Sequence, residues 1–209
     1  MIDNAAYVIR QARPRDAQPI MELFAEATRW LAGKGLDQWQ GPTDRRGTLI
    51  RRDIGVRAVW VVTHLGRVVA TITVDDLADD DFWRRTDRVR SALYVHRMVV
   101  ARSEAGIGLG AALLDWAAER ARRKGRARLR LDAWATNDAL HQYYKNLEFE
   151  MLRNTPVPGR GSGALFERSA SVRLGIGPPL VSPAAARAAA AADSVARHDV
   201  ERLPPLVPS

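Results

Sequence analysis

The hydrophobic positions of this chain alternate between a period of two and a period near 3.6, and the changes of period lay out its elements. "YVIRQA" (7–12) has the alternation of a short strand. From Ile20 the spacing turns helical. Ile20, Leu23, Phe24, Ala27 and Leu31 share one face of a helix that Asp16 can cap and that Gly33 and Gly35 stop. A polar loop, "LDQWQGPTDRRG" (36–47), precedes a shorter helix at "TLIRRDI" (48–54). Two β-branched runs, "AVWVVTH" and "RVVATITV", are joined at "HLGR", which places Gly66 where a tight hairpin needs positive φ.

The stretch "DDLADDDFWRRTDRVR" (75–90) is too polar for a core element and predicts a loop over one end of a sheet. "ALYVHRMVV" (92–100) is apolar enough for a sheet interior. A long helix follows over 108–125, with Leu109, Leu113, Trp116 and Ala117 as its stripe and Gly125 as its stop. "RARLRLDAWA" then alternates as a strand, "NDALHQYYKNL" suits a short helix, and "FEMLRN" and "ALFERSA" are late strands around "PVPGRGSG". Residues 1–174 thus form one domain. From 175 to 209 Pro and Ala dominate without a stripe wide enough to bury, which predicts a flexible tail with transient helix.

Composition narrows the chemistry. The 209 residues, 46% hydrophobic, suffice for one core, and the absence of cysteine excludes disulfides, thiolate metal sites and a cysteine nucleophile. His64, His96, His141 and His198 lack paired ligand spacing, so no metal is expected. Neither a basic start followed by an apolar leader nor a run long enough to span a bilayer is present, so a cytoplasmic protein is the expectation. The net charge of +8 lies in the domain, because Arg187, Arg197 and Arg202 balance Asp193, Asp199 and Glu201 beyond residue 175. Its densest part, Arg120 to Arg130, stands without a nucleic-acid-binding signature, which argues for a solvated helix end rather than nucleic acid.

The most informative stretch is "ARSEAGIGLGAALL" (101–114), with three glycines between an apolar strand and a helix. A glycine-rich turn at a helix start presents uncommitted N–H groups at the positive end of the dipole and lets a phosphate approach closely. Three readings compete. One is a tight connection with no ligand. Another is a dinucleotide fingerprint, since Gly106, Gly108 and Ala111 match G-x-G-x-x-A with Asp132 about 20 residues on, but "ARSEA" intervenes after the strand and too little chain remains for a second nucleotide-binding half.

The third rests on resemblance. "AGIGLG" resembles the pyrophosphate loop Q/R-x-x-G-x-G/A of the general N-acetyltransferase (GNAT) superfamily, with Ala105 at the Gln/Arg position. "NDALHQYYKNLEF" is similar to that family's N-x-x-A-x-x-x-Y-x-x-x-G-F, with Glu148 where glycine is usual, and the likeness spans about residues 7–170. The resemblance implies an α+β fold, an α/β/α sandwich about a mixed, mostly antiparallel sheet, and an acetyl-coenzyme A-dependent enzyme. It places the pantetheine arm on the backbone of Met98, Val99 and Val100, and the phosphates on Ala105, Gly106, Ile107, Gly108, Leu109, Gly110 and Ala111. Asn137 would cap a helix and touch the coenzyme. A main-chain N–H near Met98 or Val99 would polarise the thioester carbonyl. Tyr144 falls at the family tyrosine and would donate to the leaving thiolate, with Tyr143 a packing residue.

The base stays open between His96, taken to share a strand face with Met98, Asp132 on the partner strand, and a water chain; Glu104 lies too near the phosphates. Trp39 and Trp83 are candidate walls for the acceptor, and the six aspartates between 75 and 87 would either draw a cationic amine or balance nearby arginines. The acceptor would be an amine of a small molecule or a protein N-terminus, and a homodimer is compatible. The competing class is a coenzyme A-binding regulatory protein without turnover.

Overall fold

Every strand expected from the alternation is present in the computed structural model, which describes residues 6–41, 43–89 and 91–201. They are β1 (Tyr7–Gln11), β2 (Val59–His64), β3 (Arg67–Asp75), β4 (Ala92–Val100), β5 (Arg128–Trp134), β6 (Glu150–Asn154) and β7 (Ser162–Ser169), joined by an additional β8 (Leu180–Val181). All lie in one sheet of order β6-β7-β5-β4-β3-β2-β1-β8. Only β4–β5 and β1–β8 are parallel; the other neighbours are antiparallel.

Consecutive residues of β2 show how the two faces are covered. Trp60 meets Trp116 of α3 (Leu109–Arg123) at a ring separation of 4.8 Å. Its neighbour Val61 pairs with Arg10, whose guanidinium grips Asp16 at the start of α1 (Ala17–Ala32), on the opposite face. α4 (Asp138–Asn146) lies with α3, its Tyr144 ring 5.4 Å from Phe166, and α2 (Thr43–Gly55) joins α1. This is the expected α+β sandwich.

α1 buries the five residues of the predicted stripe. Asp16 does not cap it: this carboxylate is 3% exposed and takes two hydrogen bonds from Arg10 and one from the Arg13 N–H. α2 begins at Thr43, inside the expected polar loop, because Ile50 and Ile54 at helical spacing draw the whole segment onto the sheet. At the β2–β3 turn both Leu65 and Gly66 have positive φ, 49° and 77°, as the twist of a two-residue hairpin demands.

Two departures reach the site. In the 75–90 loop, Phe82 and Trp83 turn inward onto Ala92, Tyr94 and Leu165 as a second small core. The other concerns the C-terminal segment, which composition alone detaches from the domain. Asp115 accepts hydrogen bonds from the Leu174 and Gly175 N–H groups at 2.9 and 2.8 Å, β8 adds to β1, and Ala186 of α5 (Pro183–Glu201) is 9% exposed. Arg168, fully buried, neutralises Asp115 at 3.1 Å. A short strand and one buried carboxylate are what hydrophobic periodicity fails to register.

Glu148 takes up the left-handed conformation, φ 61°, at the end of α4. Glu148 N–H bonds to the Lys145 carbonyl and Phe149 N–H to that of Tyr144, the paired bonds of a Schellman cap, so the turn keeps its place without glycine. Glu148→Gly is accordingly expected to raise stability by about 1 kcal/mol, read as a higher urea midpoint with an unchanged m-value.

Candidate active site

The sheet opens where β4 and β5 stop pairing. Their parallel ladder runs from Ala92↔Arg128 to Val95↔Leu131 and ends there, although β4 continues to Val100 and β5 to Trp134. A bulge on the other side of β4 helps aim the diverging segment: Thr73 faces His96 and Thr71 faces Val99, so β4 carries one residue more than β3, with Arg97 at φ 46°. The bulge also overturns one expectation. His96 shares its face with Val99, and Met98 points to the opposite side, because the extra residue breaks the period of two.

Against the diverging part of β4 lies a cavity of about 490 Å³. Met98, Val99 and Val100 line it along the strand, Ala105, Gly106, Gly108, Leu109 and Gly110 at the start of α3, and Asn137 and Tyr143 from α4. Ile107, 43% exposed, and Ala111, buried, do not line it. Among the described residues, no turn, cap or side-chain hydrogen bond takes up the main-chain N–H groups of residues 106–111. Of these, Gly106, Gly108, Leu109 and Gly110 line the cavity at the positive end of α3, where an anion is favoured. The lack of a Cβ is used at two points: one on Gly110 would stand 2.5 Å from the Tyr143 hydroxyl, and one on Gly108, φ 82°, would stand 2.8 Å from the Gly177 Cα.

Asn137 caps α4 as expected and lines the cavity. Its Oδ1 accepts from the Leu140 N–H at 3.0 Å, capping α4, and its Nδ2 donates to Gln38 at 2.8 Å on the floor of the cavity. Trp39 lines the same cavity and packs edge-on against Phe24 at 5.0 Å. Trp83 does not reach it; at 1% exposure, with Tyr94 at 5.4 Å and Arg130 at 5.2 Å, it holds the 75–90 loop down. Four of the six aspartates of that loop are engaged by cations: Asp76 with Lys124 and Arg126, Asp79 and Asp81 with Arg160, and Asp87 with Arg153. These four balance basic side chains rather than face a ligand, whereas Asp75 turns to His96.

His96 and Asp132 are the first residues beyond the last β4–β5 pair. Asp132 stands 3.6 Å from His96 Nδ1, and Asp75, at the end of β3, stands 3.4 Å from Nε2. Burial alone would lower the histidine, but the two carboxylates outweigh it and raise its pKa to about 9. Asp132 is correspondingly lowered: burial opposes its charge, and His96, Ser162 and Arg160 more than compensate. Tyr143 is pushed up to about 12 by burial. Tyr144 sits in the core between Phe149 and Phe166; burial raises its pKa, and so do Tyr143 and the charge of Asp132. The Asp37–Trp134 bond, 2.7 Å, with Thr136 on the same oxygen at 3.2 Å, ties the α1–α2 loop across to β5. This tie and the Asn137–Gln38 bond were not legible, since they join residues about a hundred positions apart. Among the described residues no cluster of His, Asp or Glu could hold a metal ion, and no helix is long and apolar enough to cross a membrane.

A sheet split beside a glycine-rich helix start defines the acyltransferase class of α+β fold, and comparison with known proteins agrees. The profile of the acetyltransferase (GNAT) family matches residues 18–149, and the chain belongs to that family. It is 32% identical over 142 residues, 66% of this chain and 78% of the other, to the uncharacterized N-acetyltransferase YesJ of Bacillus subtilis (strain 168). Among solved structures it is similar to a GNAT-family acetyltransferase of Listeria monocytogenes 4b F2365, with a TM-score of 0.63 at 23% identity over 78% of this chain and 94% of that one. It is also similar to yncA, an acetyltransferase of Salmonella typhimurium solved with acetyl-CoA, with a TM-score of 0.54 at 21% identity over 80% and 96% of the two chains.

Proposed function

We propose that this protein transfers the acetyl group of acetyl-coenzyme A to a primary amine of a small molecule by direct attack across the β4–β5 split. The carrying observation is the position of that split, with uncommitted N–H donors of residues 106–111 on one side and the His96–Asp132 pair at its apex. The residues fit the coenzyme: the helix start suits a diphosphate, and the unpaired edge of β4 beyond Val95 suits the amides of an extended pantetheine arm, which would add as a strand does. When bound, the coenzyme supplies an activated thioester.

The chain's own groups handle the protons. Asp132 and Asp75 leave a net charge of −1 around the His96 imidazolium, which attracts an ammonium acceptor; once the imidazolium has released its own proton to solvent, the neutral imidazole accepts the proton of the ammonium. Tyr144, held protonated by burial, supports the departing sulfur by hydrogen bonding more than by full transfer, since its pKa is raised well away from that of a thiol. The loop tied down by Asp37 and Gln38 narrows access, which favours a small amine over a protein N-terminus.

Thiol release measured with acetyl-coenzyme A across a panel of polyamines, aminoglycosides, amino acids and N-terminal peptides tests this reading. At least one small amine is expected to turn over. For it, Tyr144→Phe is expected to lower kcat by about 10- to 100-fold with the KM for acetyl-coenzyme A unchanged. Tight coenzyme binding with no thiol released by any amine would instead establish the regulatory alternative.

A further inference from the structure

The mouth of the cavity carries a cation that the fold has not neutralised. The guanidinium of Arg102 lies 4.0 Å above the ring of Trp30, and both side chains line the cavity beside the glycine loop. Its surroundings hold two carboxylates, each directed elsewhere. Glu26 accepts the main-chain N–H of Arg102 at 2.9 Å, and Glu104 accepts the Tyr7 hydroxyl at 2.7 Å. No ion pair or hydrogen bond engages the Arg102 side chain among the described residues. Other arginines are differently placed: Arg10, Arg97, Arg126, Arg130, Arg153 and Arg168 are all paired to carboxylates.

Two further features point to a ligand here. Trp30 is 42% exposed although it borders an apolar cavity, a large aromatic surface left for something to cover. The position that could carry a basic side chain inside the loop itself is Ala105, three residues further on, so the loop's main-chain donors have no side-chain cation of their own. Trp30 and Arg102 line the same cavity as the main-chain donors of the glycine loop, within one ligand's span of a diphosphate held there.

We infer that Arg102, steadied on Trp30, binds the 3′-phosphate of the coenzyme's adenosine and makes the protein selective for the 3′-phosphorylated form. This rests on the coenzyme reading above and adds a specificity residue to it. An arginine pre-oriented by an aromatic face offers paired donors to a phosphate at a smaller entropic cost than a free side chain would. Arg102 acts on binding alone and takes no part in the transfer.

Calorimetric titration with acetyl-coenzyme A and with its 3′-dephospho analogue tests the inference. The native protein is expected to bind acetyl-coenzyme A at least about tenfold more tightly. Arg102→Gln is expected to weaken acetyl-coenzyme A by about that factor and leave the dephospho analogue unchanged, while Arg102→Lys retains part of the preference. Because Arg102 is exposed and its bond to Glu26 is made by the main chain, these variants keep the fold, which circular dichroism checks. Equal binding of both ligands by the native protein, or an equal loss for both in Arg102→Gln, overturns the inference while leaving the coenzyme site standing. Failure of the native protein to bind either ligand overturns the coenzyme reading and this inference with it.

Discussion

Gly108→Ala is expected to lower stability by about 2–5 kcal/mol and to weaken acetyl-coenzyme A about 100-fold or more. Two independent costs add at this position. The backbone is left-handed, φ 82°, which costs a residue with a Cβ about 1–2 kcal/mol. The added methyl would also meet the Gly177 Cα at 2.8 Å, its N at 2.9 Å and Ile176 Cγ2 at 3.0 Å. Two of these three atoms are main chain, so the clash is relieved only by moving the 174–181 segment or the start of α3, at about 1–3 kcal/mol. Either movement displaces the donors that face the cavity, and a shift of about 1 Å at a binding centre can cost a hundredfold. Gly106→Ala provides the contrast. Its φ of 86° carries the same strain, but nothing lies within 4 Å of the new methyl, so only the first cost applies. Urea denaturation and calorimetry on both variants separate contact from strain. Equal losses in the two would show that the 174–181 segment does not support the loop.

That support is also where sequence and structure part most clearly. The segment's holdings are a two-residue strand, two N–H bonds to Asp115 and a glycine-on-glycine contact. None leaves a periodic hydrophobic trace, and the family match ends at residue 149, before the segment begins. What was legible has a common physical basis. Five apolar residues at helical spacing announced α1, β-branched runs announced β2 to β4, and glycines opening a helix announced the anion site, because each is a local consequence of local residues. The bulge at Arg97 was hidden, since nothing in "VHRMVV" distinguishes a left-handed arginine from an extended one, and with it went the facing of His96. The burial of Trp83 was hidden for a related reason: in a loop with six aspartates, an aromatic looks like a ligand wall until the arginines that engage four of those aspartates are located in space.

The apex of the split makes the second large prediction. His96→Gln is expected to reduce kcat/KM by about 10²- to 10⁴-fold, the range for loss of a positioned base, and to flatten the pH–rate profile. In the native enzyme the rate is expected to climb from neutrality and level off near pH 9, as the imidazolium flanked by Asp132 and Asp75 loses its proton. Tyr94, its ring 6.5 Å away and parallel, and Ser162 and Arg160, which act on Asp132, complete the charged and polar surroundings of this pair. Stability follows the same proton with the opposite sense. The histidine's pKa is higher folded than unfolded, so its contribution is complete below about pH 6.5 and fades as pH rises through about 9. The enzyme therefore works best where this cluster holds the fold least. An acceptor amine titrating in the same range could imitate the rate profile, and Asp132→Asn distinguishes the two: removing the carboxylate lowers the histidine's pKa and moves the inflection to lower pH, whereas the inflection of a free amine stays fixed. Repeating the profile with a second amine of different basicity completes the separation. An inflection that ignores both His96→Gln and Asp132→Asn would assign proton removal to water and leave this histidine a structural bridge between β3 and β5.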